Sequence, residues 1–239
     1  MSGLSVEAAL LAGVLCAALA ALTPRVVAAL PESTTAPHPD DPPRPAFGTV
    51  AARPGLAPGA ALAAGLAGAA AAAVVGLGWP TAYVVVAVPP CVALAYVDWR
   101  TRLLPSRIVL PVTGALVLVA LLELLVTRDT DVALRCLVGL LGARSFVWLL
   151  WRVRASGMGF GDVRLAALLG LLLGRVGYAE LLLGIWLAFP LSSVPWLLVA
   201  LVRRDRAVLK RAHPFGPFLV LGALVGIVGT APLLDLIYG

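Results

Sequence analysis

An all-α polytopic membrane protein of about eight transmembrane helices is the fold class this sequence predicts, on three observations. Of 239 residues, 61% are hydrophobic and only 13% charged, about half the charged share of a water-soluble domain. The mean hydropathy is +1.01. The apolar residues gather into runs close to the roughly 20 residues that cross a bilayer, and the basic residues collect between alternate pairs of runs.

The first run, residues 4–22, has nothing basic before it and Arg25 after it, which reads as an uncleaved transmembrane anchor rather than a secretory signal. Residues 23–59 change composition sharply, with Pro31, Pro37, Pro39, Pro42, Pro43, Pro45, Pro54 and Pro58 and few apolar anchors. That composition predicts an extended, mobile cytoplasmic loop. The Ala/Gly-rich run 60–78 predicts a packed interior span, because small residues let helices approach closely. Runs at 80–97, 107–126, 132–151, 163–177, 180–202 and 215–237 complete a seven-helix unit over residues 60–239, the sixth run being short. Pro89 and Pro90 are expected to kink the third span. Cys16, Cys91 and Cys136 each sit inside an apolar run without CxxC spacing, so they read as packing residues rather than zinc ligands or disulfides. No metal and no other cofactor is expected.

A net charge of +6 raises nucleic acid as a partner, but in a membrane chain Lys and Arg first report topology. Arg25, Arg44 and Arg53 fall in the first connection; Arg100, Arg102 and Arg107 in the third; Arg152, Arg154 and Arg164 in the fifth; Arg203, Arg204, Arg206, Lys210 and Arg211 in the seventh. Only Arg128 and Arg175 fall in the alternate connections, while Arg135 and Arg144 lie within the fifth span. The positive-inside rule therefore puts the odd-numbered connections in the cytoplasm and both termini outside. Basic residues that track topology, without a clustered aromatic platform, exclude a nucleic-acid surface.

Most of the 12 acidic residues fall at the outer face, in the proline-rich loop or among basic neighbours; Glu123 is counted with the outer group. Asp98 and Asp162 differ, each standing where an apolar run meets the cytoplasmic face. An ionisable group at that boundary is expensive unless solvated or paired, which makes it a functional candidate. Two carboxylates at one depth point to aspartic-protease chemistry: held close they cannot both ionise, so one activates a water while the other polarises the scissile carbonyl. The plainer alternative is that Asp98 pairs with Arg100 or Arg102 and Asp162 caps the sixth helix.

Gly157, Gly159 and Gly161 alternate just before Asp162 and remove side chains where an extended peptide would approach the backbone. The spacing fails both the phosphate-loop and the GxGxxG patterns, and a simple hinge is the alternative. His213-Pro214-Phe215-Gly216-Pro217-Phe218 opens the last span, where prolines at a helix start are ordinary. His213 is given no catalytic role. Arg144, inside the fifth span, either snorkels to the cytoplasmic face or turns inward toward an aspartate.

Asp98-Trp99-Arg100-Thr101-Arg102-Leu103-Leu104-Pro105, the box from Gly157 to Arg164, and Pro214-Phe215-Gly216-Pro217 together resemble the type IV prepilin peptidases, membrane aspartyl proteases of the GxGD class. The resemblance runs from about residue 80 to the C-terminus. It implies Asp98 and Asp162 as the catalytic pair, with Gly157, Gly159, Gly161, Pro214, Gly216 and Pro217 in the active-site loops. It also implies a multi-pass protein of the bacterial inner membrane, in contact with lipid, that cleaves the short basic leader of prepilins or pseudopilins from the cytoplasmic side. Longer family members carry paired CxxC motifs in the first cytoplasmic loop, linked to N-methylation. Residues 23–59 contain no cysteine, so neither metal binding nor methyl transfer is expected here. Arg164 and Ser106 stand where lysine and Asp or Asn are usual. Two other functions stay open on the residues: a transporter or channel using both aspartates as ion sites, and an intramembrane protease of the presenilin or signal-peptide-peptidase type.

Overall fold

In hydrocarbon every backbone N–H and C=O must be satisfied within its own segment, so long apolar runs without β closure fold as helices. The computed structural model describes residues 3–32, 44–153, 158–205 and 213–238. Among these the chain forms ten helices: α1 (Gly3–Ala20), α2 (Thr23–Ala28), α3 (Phe47–Ala51), α4 (Leu56–Val75), α5 (Trp79–Thr101), α6 (Ser106–Thr127), α7 (Thr130–Val153), α8 (Phe160–Val176), α9 (Tyr178–Arg203) and α10 (Gly216–Tyr238). No strand occurs among the described residues. The eight apolar runs correspond to α1 and α4 to α10. Six stretches, Ser5–Ala28, Leu56–Val75, Trp79–Thr101, Ser106–Thr127, Thr130–Val153 and Tyr178–Arg203, are long and apolar enough to cross a membrane. α10 is a further apolar helix over its described stretch Gly216–Thr230, and α8 has only 17 residues. The chain is a multi-pass, all-α membrane protein.

The shortness of α8 goes with its position. From Asp162 to Gly174 every residue but Arg164 is buried, because α5, α6, α7, α9 and α10 all pack on it. A helix that is apolar all round belongs in an interior, and here the interior is that of the bundle. Glycines permit the tightest contact: a Cβ on Gly139 of α7 would strike the carbonyl oxygen of Gly170 on α8. The α9–α10 pair uses the same device, with a Cβ on Gly222 falling 2.9 Å from the Ala188 nitrogen. Small-residue spacing of this kind drives helix association where lipid offers no hydrophobic contrast.

One expectation changes. Residues 23–59 are not extended throughout, since α2 and α3 form there and Val27, Phe47, Val50 and Ala51 bury themselves with Val97 of α5. The Glu32 carboxylate accepts the Phe47 N–H at 2.9 Å and so satisfies one of the orphan donors at the start of α3. A few apolar side chains, closed by one carboxylate, are enough to fold the ends of the proline-rich stretch. α5 runs as one helix from Trp79 to Thr101 with both Pro89 and Pro90 inside it. Cys16, Cys91 and Cys136 are free and buried, as packing residues should be.

Candidate active site

Asp98 lies in the last turn of α5 and Asp162 in the first turn of α8. Each is only 5% exposed. The turn after Asp98 is closely held. Arg102 adopts a left-handed conformation, φ 57°, and returns its N–H to the Asp98 carbonyl at 2.8 Å, while Thr101 Oγ1 donates to the Val97 carbonyl at 2.8 Å. This turn sends Leu104 back toward the aspartates. Leu104 then fills the space left by two glycines: a Cβ on Gly161 would lie 2.7 Å from its Cβ, and one on Gly216 would lie 3.3 Å from its Cδ2.

Each carboxylate is held by a glycine amide. Gly216 N–H donates to Asp98 Oδ2 at 2.9 Å across 118 positions of sequence. The bond follows from the proline-framed start of α10, where first-turn amides have no intrahelical acceptor and Pro217 has no N–H at all. Gly159 N–H donates to Asp162 Oδ2 at 3.0 Å, and the Asp162 N–H returns to the Gly159 carbonyl at 3.1 Å. Asp162 thus caps α8 with one oxygen. Its Oδ1 is buried and has no hydrogen-bond partner among the described residues, so the cap leaves one oxygen available for other chemistry. Asp98 and Asp162 stand near enough to interact electrostatically, as do Asp98 and Arg102.

The residues singled out in the sequence fall unevenly around this centre. Asp98, Asp162, Gly161 and Gly216 come together with Leu104. Gly159 is exposed and has room beside it, the nearest atom to a Cβ there being Asp162 Oδ2 at 3.6 Å. Pro214 and Pro217 are half-buried at the start of α10, and Gly157 lies outside the described residues. His213 stacks on Trp196 with ring centroids 3.8 Å apart. Arg144 lies on the exposed face of α7, so it does not turn inward. The two unusual residues meet each other, Arg164 Nη1 donating to Ser106 Oγ, and Arg164 also lies over the Phe160 ring, 4.9 Å from its centroid. Among the described residues no group of three or more His, Cys, Asp or Glu side chains is arranged to hold a metal ion.

Sequence reasoning missed Leu104, the Gly216 amide and a second polar cluster. Glu123, assigned above to the outer face, is 3% exposed and makes a two-pronged ion pair with Arg175. Arg175 Nη2 lies 2.7 Å from Oε1 and Nε 2.9 Å from Oε2. Tyr83 O–H donates to Glu123 Oε2 at 2.8 Å. The signal was Arg175 itself, one of two basic residues on the side the positive-inside rule leaves nearly empty.

The type IV leader peptidase family model matches residues 85–203, which carry both aspartates. The chain is 28% identical over 158 residues to a prepilin leader peptidase/N-methyltransferase of Aeromonas hydrophila, covering 63% of this chain and 50% of that protein. It is 31% identical over 137 residues to the protein of that name from Pseudomonas putida, covering 57% and 46%. Against the one from Xanthomonas campestris it is 30% identical over 161 residues, covering 67% and 54%. The chain therefore spans about half the length of the curated relatives it matches. No solved structure matches it. The match takes in both aspartates, and the chain belongs to the type IV leader peptidase family.

Proposed function

We propose that the protein is an aspartic endopeptidase of the bacterial inner membrane that removes the short basic leader of prepilins or pseudopilins at the cytoplasmic face. Asp98 and Asp162 act as one dyad. The observation that carries this reading is the pair itself: two buried carboxylates from two helices, each held by a glycine amide at the same end of the bundle. Their place in the terminal turns of α5 and α8 supports cleavage at the membrane boundary rather than deep within a span.

In the proposed reaction the ionised carboxylate takes a proton from water as its oxygen bonds to the scissile carbonyl carbon. The protonated partner donates to the carbonyl oxygen. The tetrahedral intermediate collapses as the C–N bond breaks: the leaving amine takes the proton first drawn from water, and a hydroxyl proton of the intermediate returns to the partner carboxylate. Residues 60–239 form the peptidase unit, 1–22 an anchor and 23–59 a cytoplasmic connection whose folded ends brace α5 beside Asp98. The relatives' name includes N-methyltransferase; we propose peptidase activity alone for this chain, because 23–59 lacks the thiolates that soft-metal sites use. The test is to incubate detergent-solubilised protein with candidate prepilins and determine the new N-terminus by mass spectrometry. Cleavage just before the hydrophobic helix is the expected result, and intact prepilin alongside ion flux in vesicles would replace the peptidase with a transporter.

A further inference from the structure

We infer that Tyr83, Glu123 and Arg175 are positioning residues that set the axial register of the two aspartate-bearing helices from the far end of the bundle. The inference rests on the dyad reading above. Arg175 closes the helix that Asp162 opens, and Tyr83 lies in the opening turns of the helix that Asp98 closes. Each is about 20 Å from its aspartate at 1.5 Å of rise per residue. One carboxylate joins them. Glu123 accepts from Tyr83 Oη at 2.8 Å and from Arg175 Nη2 at 2.7 Å, and the Arg175 guanidinium also lies over the Tyr83 ring, 5.8 Å from its centroid.

The helix that supplies Glu123 is the strut of this arrangement. At its other end Ser106 accepts from Arg164, two residues beyond Asp162, so α6 is fastened to α8 at both ends. α5 joins the strut through Tyr83 at the far end and meets α8 through the Leu104 turn at the near end. Glycine contacts interlock α8 with α7, and these hydrogen bonds add directional anchors between α5, α6 and α8. Directional hydrogen bonds do not slide. A shift of one residue would move a carboxylate by about 1.5 Å, and a 1 Å misplacement is enough to cost about 100-fold in rate.

The experiment compares the full-length protein with Tyr83→Phe and Glu123→Gln, measuring kcat, KM and thermal unfolding on a synthetic prepilin. Tyr83→Phe removes the hydroxyl that donates to Glu123 and leaves the ion pair, so it keeps the test valid if Glu123→Gln does not fold. The expected result is a kcat about tenfold lower in folded Tyr83→Phe with KM within about twofold of the parent, and a larger loss of kcat in Glu123→Gln. Parent-like kcat in folded Tyr83→Phe, with only a lower unfolding temperature, would reduce the cluster to a structural clamp and overturn the inference. Failure of the parent itself to cleave would strike the peptidase reading instead.

Discussion

Replacing Asp162 by Asn separates its two roles, because the amide retains an oxygen that accepts from Gly159 N–H, now at 3.0 Å, but carries neither the charge nor the exchangeable proton. If the residue only caps α8, Asn serves well, since Asn and Asp are comparable in that role. If it is half of a dyad, cleavage needs the carboxyl group. Loss of general acid–base function costs about 10²–10⁴-fold, and because the partner cannot work alone the upper end applies, about 5.5 kcal/mol of barrier at 1.36 kcal/mol per decade. Stability should be unchanged or higher, as a buried oxygen without a partner no longer carries charge. Asp162→Ala, by contrast, also loses the cap and should cost about 1 kcal/mol of stability. The assay pairs prepilin cleavage, read by mass spectrometry, with thermal unfolding of the same preparations. Adding Asp98→Asn should reduce the residual rate little further, because members of one catalytic unit are non-additive. Folded Asp162→Asn that cleaves within tenfold of the parent rate would refute the dyad and leave the cap as the whole explanation of Asp162.

The glycines around the dyad should respond unequally: Gly216→Ala places a Cβ 2.8 Å from Asp98 Oδ2 and is expected to lower kcat about 100-fold, whereas Gly159→Ala, whose Cβ would make only ordinary contacts from 3.6 Å on an extended backbone, should stay within about threefold in the same assay. Phe47→Ala should lower stability by about 3 kcal/mol, the loss for a buried aromatic, and lower cleavage as well, because Phe47 is 4% exposed and packs with Val97 beside Asp98; thermal unfolding and cleavage rate check both. Cysteine labels at Ala52 and Thr130, both exposed, should react with an impermeant reagent from opposite faces, the cytoplasmic and the outer respectively, the three native cysteines being buried; reaction of both from one face would break the topology. Mature pilin made by this protein alone should carry an unmodified terminal amine, and a methyl-donor-dependent increase of about 14 Da, one methylene's mass, would show that the cysteines absent from 23–59 are dispensable for methylation.

The number, order and approximate bounds of the long helices were legible in the sequence because a bilayer admits few solutions: an apolar run of about 20 residues must satisfy its own backbone, so it is a helix. The aspartates were legible for the same reason, since carboxylates at the edge of an apolar run are costly and stand out. What the sequence could not determine is which helix face meets protein and which meets lipid. Lipid tails are as apolar as leucine, so burial leaves little trace in the pattern. Only the tertiary structure therefore set α8 at the centre of the bundle, paired Glu123 with Arg175, folded Phe47 and Val50 onto Val97, and brought the Gly216 amide to Asp98 from 118 positions away. Each of these depends on where a hydrogen-bonding group or a small residue falls on a helix surface relative to its neighbours, a quantity that hydropathy along the chain does not contain.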